Sequence, residues 1–427
     1  MKGKWIYKIL FQVFSLILIF CYFAGNNSNY YLFICNSDYI SEEDKHCIYK
    51  YSKTLNGNVK IIDSRGFNSA TDLCKALKNS YSNLSNNIVG IQIFGTKNAV
   101  PAFDIGFEID MKNGKIDTAY EDFVTDFFYS NFDEAVSKLK GKTSINDMFT
   151  YNFNLSFKPS WRVARLPLNK NEIAPFIKKY FDYKEQIKSI DKKIPIVSFS
   201  NPILLNPQVG IDDMGYFIKQ KIDKECHYFD DESYKLYGLQ EGFSKVKIAV
   251  SGGFSRENLE RENQKGIMDL FINCHGEKDK FIKTIYDDNS LGSQHVSSFM
   301  DRSNVNSILK HNYYTLTAWS CLNAQGLDDQ NIIYDMLRYK CIDSIAATSI
   351  ISNNGTDNRA SWAESKNNNL YCFYYEFFRS LASNYSRSNS FFNAQKVYAD
   401  AVMNHENLDS FQYNILNLLS YHYLGLL

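Results

Sequence analysis

Two reactive side chains, the imidazole of His275 and the thiol of Cys321, each close an apolar run, and they lie 46 residues apart. The first run, "IMDLFINCHG" (267–276), can bury Leu270, Phe271 and Ile272 and then stops at a His-Gly pair. The second, "YYTLTAWSC" (313–321), ends in the thiol. In an open α/β sheet the C-terminal ends of the strands share one edge, and ligands bind there. The intervening residues are enough to hold a helix and return in parallel register. A thiol beside an imidazole loses its proton more readily, because imidazolium stabilises thiolate. That is the minimal machinery for attack on an amide carbonyl, and the backbone amides of Gly276 and Cys321 are candidates for holding the oxyanion. Taken singly, a cysteine in an apolar strand is most often core, and a histidine before glycine most often sits in a surface turn. The uncommon feature is the pair, His then Cys, each at a strand end. Cys274 adjoins His275, but strand alternation turns it to the opposite face, so a structural role is expected.

The elements needed to place that pair are legible. "NYYLFICNS" (29–37) and "NVKIIDS" (58–64) read as buried strands, "SATDLCKALKNSYSNL" (69–84) as a helix and "NIVGIQIFG" (87–95) as another strand. Strand, helix and strand at this spacing is the grammar of an α/β layer with parallel strands. Residues 104–160 read as loops and short strands, "WRVARLPL" (161–168) as extended chain, and "NEIAPFIKKYFDYKEQI" (171–187) as a helix with Pro175 in its first turn. The lysine-rich "KSIDKK" (188–193) is the expected boundary. The same grammar then restarts with strands at 194–201 and 245–253, helices at 212–222 and 255–266, and central strands at 267–276, 313–321 and 341–351. A helix is expected at 331–339, and covering helices lie beyond the last strand. The division is therefore residues 1–25 as leader, 26–190 as an N-terminal α/β subdomain and 191–427 as the catalytic subdomain.

Lys+Arg and Asp+Glu both number 47, so the formal net charge is zero and no basic excess speaks for a nucleic-acid partner. Hydrophobic residues at 44% and charged residues at 22% of the 427 are the balance of a packed core. Lys2, Lys4 and Lys8 precede "ILFQVFSLILIFCYFAG", the basic and apolar regions of an export signal. Ala24 and Gly25 offer a cleavage point, although Tyr22 and Phe23 stand where a small residue is preferred. Uncleaved, the segment is long enough to anchor the chain and would be its only membrane contact. Either way the expected location is secreted or at the cell surface. Nine cysteines with no CxxC pair suggest neither a zinc site nor a disulfide framework.

A hydrophobic block with His-Gly, followed by a hydrophobic block with Ser-Cys, resembles the caspase-like clan of cysteine peptidases, and within it the gingipain family. "VGIQIFGTKNAVPAF", "TDFFYSNFDEA" and "SWRVARLPLNKNEIAPFIKKYFDYKE" are similar to that family's segments, in the same order. So are "TAWSCLNAQG", with a Cys-x-Asn step, and "IDSIAATSIISNNGTDNRASW". The resemblance implies a caspase-like open, mostly parallel sheet flanked by helices, preceded by an α/β subdomain. It implies a thiol endopeptidase acting on peptide or protein substrates, with His275 as general base or acid and Cys321 as nucleophile. Members that prefer basic residues use a carboxylate in the loop "NPILLNPQVGIDDMG", which here offers Asp212 and Asp213; these read equally well as a helix N-cap pair. Ser352, Asn353 and Trp362 would form the opposite wall of the pocket. No cofactor or catalytic metal is implied. Structural calcium is a property of the family, with Asp126 and Asp133 as candidate ligands, but no calcium-loop spacing accompanies them. Two departures stand out: no Gly-Asp-Pro segment closes the chain, and the residues after Cys321 are Leu-Asn-Ala-Gln-Gly.

Two other readings remain. A surface or secreted interaction module could keep the fold with an inert Cys321, although the presence of both reactive residues counts against it. An unrelated α/β hydrolase would want Gly-x-Ser-x-Gly, which the sequence lacks.

Overall fold

The computed structural model describes residues 29–109, 119–139, 143–144, 157–189, 196–200, 227–228, 246–250, 255–266, 268–286, 294–349, 370–383, 385–403 and 408–427. Its strands are β1 (Tyr30–Cys35), β2 (Asn58–Asp63), β3 (Ile88–Phe94), β4 (Phe103–Ile109), β5 (Ala119–Thr125) and β6 (Thr143–Ser144). There follow β7 (Arg162–Leu166), β8 (Ile196–Ser200), β9 (His227–Tyr228), β10 (Val246–Val250), β11 (Met268–Asn273) and β12 (His275–Glu277). The last are β13 (Lys280–Tyr286), β14 (Gln294–Asp301), β15 (Tyr314–Trp319), β16 (Cys341–Ala347) and β17 (Tyr421–Leu424).

Eleven of them form one sheet, ordered β2-β1-β3-β7-β17-β16-β15-β11-β8-β10-β9. Strands β2, β1, β3 and β7 pair in parallel, as do β16, β15, β11, β8, β10 and β9. Between the two groups lies β17, antiparallel to β16 and meeting β7 at Leu424 and Arg165. This is the open, mostly parallel sheet flanked by helices expected above. The strand runs are continuously apolar because both faces are covered. On β1, Leu32 and Ile34 face one core with the helices Ala70–Tyr81, Leu370–Ala382 and Arg387–Met403, while Phe33 and Cys35 face a second core with the helices Glu42–Ser52, Ile173–Ser189 and Ile332–Arg338.

One carboxylate sets the second helical layer. Ser41 and Asp44 form a capping box at the start of Glu42–Ser52. Fully buried Asp44 also accepts from the amides of Asn171 (2.9 Å) and Ala174 (2.8 Å), which open the helix Ile173–Ser189.

Three expectations need correcting. The stretch 58–64 is not a buried strand: β2 is the sheet's edge, with Asn58, Lys60, Ile61 and Asp63 exposed. Residues 104–160 do hold the short strands expected, joined in a small sheet β5-β4-β6, but also the helix Phe132–Lys138, which was not expected. Finally, His275 does not end the central strand. β11 stops at Asn273, and His275 opens a second small sheet, β12-β13-β14.

Candidate active site

The site is built on β11 and β15, which pair in parallel from Met268 with Tyr314 to Asn273 with Trp319. The pairing outlasts the strands. The Cys274 amide donates to the Trp319 carbonyl (3.2 Å), and the Ser320 hydroxyl donates to the Cys274 carbonyl (3.0 Å). His275 and Cys321 are the next residues of the two chains, each just past the end of its strand.

Beyond this point the chains separate. His275 turns into the β12–β13 hairpin, pairing with Ile282, while Gly276 pairs with Phe281 and Glu277 with Lys280. Gly276 shows how closely this hairpin lies on the thiol segment. A Cβ there would collide with the Ser320 Oγ and lie 2.5 Å from the Cys321 carbonyl oxygen and 2.8 Å from Asn323 Oδ1. After Cys321 the chain turns through Leu322, whose φ of 60° is rare for a bulky residue. Leu322 and Ala324 then donate from their amides to Ser349 O (3.1 Å) and Ala347 O (2.9 Å), laying the loop on the end of β16. Lys278 on the hairpin pairs with Asp328 of this loop (3.0 Å).

Accessibility distinguishes the thiols. Of the six cysteines described with their side chains, none is in a disulfide, and only Cys321 is partly exposed. Burial pushes the thiol of Cys274 up to about 12 and that of Cys35 up to about 11, and raises those of Cys47, Cys74 and Cys341, so these sulfurs stay protonated. Cys274 is a core residue, as alternation implies. Partial desolvation lowers the pKa of His275 below its usual 6.5. Beneath the strand ends Trp319 stacks on Tyr374, with ring centroids 4.5 Å apart, and the Tyr374 hydroxyl donates to that of Tyr421 (2.7 Å).

Solved structures share this architecture. The crystal structure of the Arg-specific cysteine proteinase gingipain R (RgpB) matches with a TM-score of 0.58 and 13% identity over 93% of this chain and 77% of that one. The complex of RgpB pro- and mature domains from Porphyromonas gingivalis matches with a TM-score of 0.61 and 13% identity, over 93% and 78%. The fold is gingipain-like. By sequence, no family model and no curated protein matches the chain.

The other expected site residues, Asp212, Asp213, Ser352, Asn353 and Trp362, lie outside the described residues, as does the leader at 1–25. Asp126, suggested as a calcium ligand, is buried with both carboxylate oxygens on Arg165, accepting from Nε (2.6 Å) and Nη2 (2.7 Å). Among the described residues no group of three or more His, Cys, Asp or Glu side chains is placed to hold a metal. Nor is any described helix long and apolar enough to cross a membrane. A cavity of about 930 Å³, lined in part by Ser69, Asp72, Lys97, Asp104 and Asp122, contains neither His275 nor Cys321. Sequence reasoning gave no role to Asn323, which is buried between hairpin and loop; the Cys-x-Asn step was the available signal.

Proposed function

We propose that the chain is an exported cysteine endopeptidase of the gingipain type. The observation that carries this reading is the placement of His275 and a partly exposed Cys321 just past the ends of two paired parallel strands, with Gly276 packed against the Cys321 carbonyl. The gingipain-like fold gives it context. In the reaction, neutral His275 takes the Cys321 proton and the thiolate attacks the scissile carbonyl carbon. The negative charge moves to the carbonyl oxygen, held by the amides of Gly276 and Cys321. Collapse breaks the C–N bond, and imidazolium gives its proton to the leaving amine. A thioester remains on Cys321, and water activated by His275 hydrolyses it. The chemistry draws on no cofactor. Preference for Arg or Lys at the cleaved bond is assigned to Asp212 or Asp213, with Ser352, Asn353 and Trp362 as the opposite wall.

The test is a positional peptide library under reducing conditions, read with protein lacking residues 1–25 and with its Cys321→Ala and His275→Ala variants. Cleavage lost in both variants supports the dyad, and enrichment of Arg or Lys brings Asp212 and Asp213 forward for substitution. Absence of cleavage together with a Cys321 inert to alkylation would reject the peptidase reading in favour of an interaction module.

A further inference from the structure

We propose that Asn323 is the positioning residue of this site, its side-chain amide tying the hairpin that carries His275 to the loop that carries Cys321. This rests on the dyad reading above. Asn323 is fully buried, two residues after Cys321. Its Nδ2 donates to the carbonyls of Glu277 (2.9 Å) and Lys280 (3.0 Å), the pair that closes the β12–β13 hairpin. Two carbonyls facing one amide accept only from its NH₂, so the orientation of the side chain is fixed. On either side of Asn323 the backbone is held to the end of β16 through Leu322 and Ala324. One end of this connection is therefore anchored in the central sheet and the other on the histidine hairpin.

Asn323 Oδ1 is buried, has no hydrogen-bond partner, and lies over Gly276. Its donors, not its acceptor, therefore make the connection to the hairpin. The strut acts between two segments that the sheet does not otherwise join, because β11 and β15 stop pairing before His275 and Cys321.

The test measures alkylation of Cys321 by iodoacetamide against pH in the full chain, quantified peptide by peptide by mass spectrometry. Wild type, His275→Ala, Asn323→Ala and Asn263→Ala are compared. Asn263 is a buried amide that accepts from the backbone of His311 and Asn312 and donates to the Asn312 carbonyl, apart from the dyad, and controls for lost stability. In wild type, neutral His275 takes the thiol proton and keeps Cys321 reactive at about pH 7, below the ordinary thiol range, and His275→Ala removes that reactivity. Asn323→Ala should lose at least about tenfold in rate at that pH, moving towards the His275→Ala profile. Asn263→Ala should keep the wild-type profile even where its melting temperature falls equally. An Asn323→Ala profile that overlays wild type overturns the proposal. If that variant fails to fold, Asn323→Ser, which keeps one donor, takes its place, with an intermediate loss expected and the same overlay refuting. Coincident wild-type and His275→Ala profiles would instead remove the dyad reading beneath it.

Discussion

Adding one methyl group at Gly276 tests the closeness of the two reactive segments most directly. Glycine is needed there for space, since Gly276 is not among the positive-φ glycines. In Gly276→Ala the new Cβ would lie 2.5 Å from the Cys321 carbonyl oxygen, whereas ordinary contact begins at 3.4 Å, so hairpin and loop must part by about 0.9 Å. The blocking atom is backbone and cannot swing aside, and Asn323 Oδ1 at 2.8 Å closes a second direction. Overpacking of this kind costs about 1–3 kcal/mol in stability. A displacement near 1 Å between catalytic groups costs about 100-fold in rate. Gly276→Ala should therefore melt a few degrees early yet fold, and its kcat/KM on whichever library peptide wild type cleaves should fall about 100-fold. Both are read from one preparation, by thermal melting and initial rates. A variant with the wild-type melting temperature and a kcat/KM within about twofold of wild type would mean that the hairpin does not rest on Cys321.

Three further outcomes follow from buried groups. Asp126→Ala strands the Arg165 guanidinium, 1% exposed, and should cost about 3–5 kcal/mol in urea unfolding; a loss below about 1 kcal/mol would show that the pair is not buried as described. Asp44→Ala removes the cap shared by two helix starts and should cost about 2–4 kcal/mol, with Asp44→Asn losing less. His422, buried 3.9 Å from Asp126 and beside Arg165 and Thr348, has its pKa pushed down from 6.5 to about 4 by burial. Between these values the unfolded chain binds the extra proton and the folded chain does not, so this contribution is complete above 6.5 and lost as pH falls towards 4. It amounts to about 3 kcal/mol at most, and in His422→Gln the pH dependence of the urea midpoint over that range should flatten.

Much of the central sheet is readable because its strands are continuous apolar runs ending at Gly, Asn or a polar turn. The pairing of β11 with β15 could be expected from order and length alone. What escaped notice was made by contacts with no local pattern. "YHYL" at β17 is only four residues long, and its pairing with β16 makes it a strand. The β12-β13-β14 sheet escaped because "HGE" is too short and too polar to show alternation. Asp126 and Arg165 stand in quoted motifs, but nothing along the chain says that two charges 39 residues apart will be buried together. Asn323 was visible as a residue type and invisible as a strut, since its acceptors are backbone carbonyls, which every residue possesses.

The turn after the thiol is strained and held by its neighbours. A leucine at φ 60° is held in a conformation that costs of order 1–3 kcal/mol and persists only where the surroundings over-determine it. Here they do: Leu322 and Ala324 are fixed to the end of β16, Asn323 and Asp328 are fixed to the hairpin, and the Ile332 amide donates to the Lys278 carbonyl (2.9 Å). β16 is itself held on its far side by β17, and Thr348 at its end donates to the Val124 carbonyl (2.7 Å). On the peptidase reading proposed above, the turn would serve to fix the thiol segment against the hairpin that carries His275.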